Sequence, residues 1–204
     1  MANITRVDYE AIPRQAMSMR THGKELNNEI FAAYQSIEEM HKSWYGKRYN
    51  SLVEEFNKII PNLNELLELV VDELPFTLET VANNYALADT GSGVARAAKE
   101  TPKKLSNLSF SGEIGMKFVT TEVEAIQQTV SRNFENAKGK MDEIQAEYAK
   151  ISWQSEAADA FKARFQKLKT EIVRSFEELK SQFTTLMNQT KDDIQRTESA
   201  NTIK

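Results

Sequence analysis

Residues 43–46 read Ser43-Trp44-Tyr45-Gly46, and residues 152–155 read Ser152-Trp153-Gln154-Ser155. They hold the chain's two tryptophans, 153 − 44 = 109 positions apart. Each lies between two long amphipathic stretches. Sliding the sequence by 109 brings the stretches that follow into register. Leu52 falls on Phe161, Phe56 on Phe165, Ile59 on Leu168, Leu63 on Ile172 and Leu67 on Phe176. Val70 then falls on Leu179, Leu74 on Phe183, Leu78 on Met187, Tyr85 on Ile194 and Asp89 on Glu198. Apolar residues three or four apart share one face of a helix. Ahead of each tryptophan the best offset is 107, with Ile30 on Ala137, Tyr34 on Met141 and Ile37 on Ile144. The chain reads as one helical hairpin written twice.

Four helical segments are expected. The first, residues 13–40, opens on Pro13, which suits a first helical turn. The second, residues 45–88, would be a rod on the order of 65 Å long. Pro61 and Pro75 fall inside it. Each removes a backbone hydrogen bond at roughly 3 kcal/mol, yet the apolar stripe stays in phase, so kinks are expected rather than ends. The third and fourth segments cover residues 115–150 and 155–197. Ser155 before Glu156 reads as an N-cap with an acid in the first turn, and residues 199–204 read as frayed.

Thr90-Gly91-Ser92-Gly93, Thr101-Pro102 and Ser111-Gly112 mark a linker between the halves. Its Ala-rich residues 94–100 have the composition of a short helix. The organisation is therefore a first hairpin over 1–90, a linker over 91–113 and a second hairpin over 114–204. A single hairpin cannot bury both its stripes. Four stripes predict an all-α fold in which two helix-turn-helix hairpins form an elongated antiparallel four-helix bundle.

A net charge of −4 argues against a nucleic-acid partner. Cysteine is absent, so disulfide and thiol chemistry are excluded. Residues 1–10 carry no apolar core of a cleavable signal peptide, so a secreted destination would need another route. No run approaches the roughly 18 apolar residues of a membrane span.

A helical hairpin of this size with Trp-x-Gly at its turn resembles the WXG family, the Esx-like substrates of type VII (ESX) secretion. Trp44-Tyr45-Gly46 fits the motif. Trp153-Gln154-Ser155 departs from it by Ser155 for Gly, although Ala157-Ala158-Asp159-Ala160-Phe161 looks like the family's continuation. The family pairs hairpins as dimers, so the resemblance implies a single-chain version of such a dimer. It also implies a Tyr-x-x-x-Asp/Glu export signal after the second helix. Tyr85 and Asp89 match that signal, and Ile194 and Glu198 stand at the corresponding positions of the second copy. The implied partners are the secretion ATPase and a co-secreted helical effector, and the implied destination is extracellular, without a cleaved leader. The alternative is a cytoplasmic adaptor or chaperone that pairs with the helical N-terminal domain of a larger secreted toxin.

Bare physics gives the two tryptophans a structural role as large rings capping a bundle end. Tyr85 and Asp89 share a helix face at i, i+4 spacing. Nothing points to an enzyme. Glu38-x-x-His41 is half of a di-iron spacing, but the only other histidine, His22, lies in the same segment. Neither a nucleophile elbow nor a phosphate loop is present. No cofactor is expected.

Overall fold

The helical periodicity is realised as five α-helices in the computed structural model, which describes residues 6–201. They are α1 (Ile12–Glu39), α2 (Lys47–Glu68), α3 (Leu74–Thr90), α4 (Thr120–Ala149) and α5 (Glu156–Asn201). A π-helical turn, Leu69–Glu73, joins α2 to α3, so the two form one rod. The protein is mostly helical, and its helices pack on one another as in a bundle. α1 lies chiefly along α4, and α2 along α5.

Along the first seam Gln15 meets Lys150, Glu25 meets Lys140 and Glu29 meets Asn136. Numbers rise on one helix as they fall on the other. Along the second, Arg48 meets Asp193, Asn62 meets Glu171 and Glu73 meets Arg164. The core is continuous and apolar, with Leu26, Ile30, Phe56, Leu63, Phe134 and Phe176 among its fully enclosed side chains.

The two prolines behave differently. Pro61 sits within α2 without ending it. Pro75 stands at the first turn of α3, directly after the π turn. Leu74 N–H bonds Leu69 O five residues back, and Pro75 has no N–H to continue that ladder. The Val70 carbonyl of this turn faces Gly23 on α1. A Cβ at residue 23 would stand 2.8 Å from Val70 O, so only glycine permits the approach.

Four two-residue strands were absent from the sequence reading. Arg6–Val7 (β1) pairs antiparallel with Trp153–Gln154 (β4), and Trp44–Tyr45 (β2) pairs with Lys117–Phe118 (β3). Each tryptophan turn thus receives a strand from the other half. Asp8 N–H donates to Ser152 O at 2.9 Å and Val119 N–H to Ser43 O at 2.9 Å.

Two expectations are corrected. Residues 94–100 form no helix and no strand. Their tertiary anchors override alanine's helix propensity: Ala97 N–H donates to the buried Glu79 carboxylate at 3.1 Å, and Lys99 stands over the Phe76 ring. The expected fraying at residues 199–204 gives way to helix as far as Asn201; residues 202–204 lie outside the described part.

Candidate functional site: the two tryptophan ends

Trp44 is 1 % exposed. Its ring stacks on Phe183 of α5 at 5.9 Å and meets Phe118 of β3 edge-on at 5.5 Å. Tyr49 of α2 completes the cluster at 6.3 Å. Burial pushes the Tyr49 hydroxyl up to about 12. Four elements meet on one indole, so Trp44 seals this end of the core. Gly46 follows with φ +114 and ψ −172, a conformation essentially restricted to glycine. Arg48 binds Asp193 at 2.5 Å, which brings the last turns of α5, with Ile194 and Glu198, to the Trp44 turn. Trp44, Gly46, Met116 and Thr190 line a shallow recess there.

At the other end Trp153 is buried against β1. Ser155 serves as an N-cap, its Oγ accepting Ala158 N–H at 3.2 Å. Gln15 braces the turn from α1, accepting Ser152 N–H at 2.9 Å and donating to Lys150 O at 2.8 Å. Two residues past the β1 strand, the Tyr9 hydroxyl donates to Asp89. That bond raises the Tyr9 hydroxyl above its ordinary value. Tyr85 lies one turn before Asp89 on α3 and is 43 % exposed. Nearby, Tyr148 is buried with no hydrogen-bond partner for its hydroxyl among the described residues, and burial pushes its pKa up.

The intact motifs therefore sit at opposite ends. Trp44 and Gly46 adjoin the helix end carrying Ile194 and Glu198. Tyr85 and Asp89 adjoin the turn carrying Trp153 and Ser155. The 28 residues of α1, about 42 Å of helix, separate them.

No catalytic constellation stands at either end among the described residues. His41 Nδ1 lies 2.6 Å from Glu38 O, its own backbone neighbour one turn back. His22, Glu25 and Glu143 converge closely enough to hold an ion. The Lys140 ammonium, however, is 2.9 Å from both Glu25 and Glu143 and supplies the positive charge a metal would bring. Comparison with protein-family models, curated proteins and solved structures found no match.

Proposed function

We propose that the chain is a single-chain counterpart of a WXG dimer, an elongated antiparallel four-helix bundle of two hairpins, exported by a type VII secretion system. The observation that carries this reading is contact between repeat equivalents. Asn62 Nδ2 donates to Glu171 at 3.4 Å, a separation of 109. Asn136 Nδ2 donates to Glu29 at 3.2 Å, a separation of 107. These are the two offsets of the internal repeat. In a twofold dimer, residues on the axis meet their own equivalents. The matching strand pairs at the two ends support the same relation.

The work of such a protein is binding. The secretion ATPase reads Tyr85 and Asp89 on their exposed helix end, and a helical effector travels with the rod. The protein is made in the cytoplasm and leaves through that system. The test is its amount in cells and in culture medium, with and without the ATPase. Export that depends on the ATPase supports the proposal; retention in both strains counts against it.

One observation favours the adaptor reading. Phe110, Ile114 and Met116 are 58, 98 and 52 % exposed on the segment that ends at the Trp44 turn. Exposed apolar residues in one place mark a docking surface. An adaptor would stay inside both strains and co-purify with a toxin's helical domain.

A further inference from the structure

Residues 97–111 lie extended in a groove between α1 and the α2–α3 rod, held there by asparagine side chains. Asn64 donates to Leu105 O at 2.9 Å and accepts Leu105 N–H at 2.8 Å. Asn57 does the same with Leu108, at 3.0 and 2.8 Å. Asn27 of α1 does so with Lys103, at 3.1 and 2.8 Å. Asn50 accepts Ser111 N–H at 2.9 Å. On α2 the asparagines recur every seven residues, about 10.5 Å of helix. Their partners Leu105, Leu108 and Ser111 recur every three, about 10 Å of extended chain. The two periods match. Burial follows the same rhythm: Pro102, Leu105 and Leu108 are buried, and the residues between them are exposed. A period of three is that of a polyproline-II-like ribbon.

These contacts read backbone. An amide that gives one hydrogen bond and takes one from the same residue treats the chain as a neighbouring strand would, and any residue except proline satisfies it. A connector needs only to reach its far end, and asparagine is a poorer helix former than alanine. Three such residues, with Asn50 accepting a fourth backbone N–H in the α2 register, constitute a receptor for an extended chain. The N-terminal half of the groove adds a charge preference. Glu68 binds Lys104 at 3.0 Å, Asp72 faces Lys99 at 3.6 Å, and the Phe31 ring lies beneath Lys103 at 5.1 Å. Asp72 is 7 % exposed, and its Oδ1 has no hydrogen-bond partner among the described residues.

We propose that this groove is a binding site for an extended, basic partner segment with an apolar residue at every third position, and that residues 97–111 are its resident ligand in cis. The proposal does not rest on the export reading. A tethered ligand competes at an effective concentration in the millimolar range, so the resident segment sets the threshold a partner must exceed.

The test uses the full chain. L105D/L108D releases the resident segment and leaves the groove residues untouched. It is titrated by fluorescence anisotropy, beside the wild type, with a lysine-rich peptide unrelated to residues 97–111 except for Pro or Leu at every third position. The expected result is binding at least about tenfold tighter than to the wild type. Adding N57L/N64L, or replacing the peptide's lysines by glutamates, should cost about tenfold or more. Binding no tighter than the wild type's, binding indifferent to N57L/N64L, or binding confined to the chain's own 97–111 sequence would overturn the proposal. If circular dichroism shows L105D/L108D unfolded, L105A/L108A makes the same comparison.

Discussion

The two turns solve one problem with different chemistry. At Trp44 the chain turns through a glycine at φ +114, and the indole is locked among three other rings. At Trp153 the chain turns without a positive φ, using Ser155 as an N-cap, and the indole is 8 % exposed. Both keep a tryptophan and a strand contributed by the other half. The indole and its borrowed strand therefore define the unit, and glycine is one of two ways to leave it. The two halves of the chain differ in the same manner. The first is interrupted by a π turn and encloses the Arg20–Glu79 ion pair. In the second, α5 is a single 46-residue helix, and its charges meet those of α4 at the surface.

This asymmetry can be broken by mutation. The largest effect is expected at Trp44. Trp44→Ala should cost about 3–5 kcal/mol in urea unfolding while leaving the helical signal. Trp153→Ala should cost less by at least about 1 kcal/mol, since among the described residues Trp44 alone of the two has ring neighbours, each worth about 0.5–1.5 kcal/mol. Equal losses would erase the distinction between the ends.

Glu79→Leu comes next, because it leaves the Arg20 guanidinium, which is 6 % exposed, with the longer contact to Glu100 at 3.6 Å in place of the close pair. A loss of about 3–5 kcal/mol is expected, and most of it should return when Arg20→Met is added. A double mutant no better than the single one would show that the pair itself is needed. A glycine pair sharpens the contrast between the α1–α4 partners. Gly23→Ala should destabilise by about 1–3 kcal/mol against the Val70 carbonyl. Gly139→Ala, where an added Cβ meets nothing, should stabilise α4 by about 0.5–1 kcal/mol. Melting temperatures moving in the same direction would contradict the close approach at Gly23.

The smallest effect is acid sensitivity. Hydrogen bonds from Lys180 and Lys138 hold the Glu135 and Glu177 carboxyls below their ordinary 4.5. A carboxyl depressed in the folded state stabilises fully above its unfolded value and loses that contribution as pH falls through the folded one. Stability should therefore decline below about pH 4.5, by under about 1 kcal/mol per pair because both carboxylates are half exposed. K138A/K180A should flatten that decline in pH-dependent melts.

Much of this was legible in the sequence. The stripes of Leu52, Phe56, Leu63 and Leu67, and their echoes 109 residues on, announce helices that bury one face. The strands were not legible. Arg6–Val7 and Lys117–Phe118 are two residues long, and their pairing exists only when both halves are assembled. The extended path of residues 97–111 left one readable trace, the spacing of Asn50, Asn57 and Asn64. Its meaning depends on a partner 41 to 61 positions away. The π turn carried the signal of Pro75, which the unbroken phase of the stripe conceals. Tyr85 and Asp89 could be placed on a helix end by sequence, but their company with Trp153 rather than Trp44 comes from tertiary structure.

That company gives the most direct test of the account. The extracellular amount of Y85A/D89N should be compared with that of I194A/E198Q in a strain with an active type VII ATPase. Tyr9→Phe serves as a control that removes only the bond to Asp89. Y85A/D89N should stay in the cell while I194A/E198Q and Tyr9→Phe are exported like the wild type. Undiminished export of Y85A/D89N, or retention of I194A/E198Q alone, would contradict it.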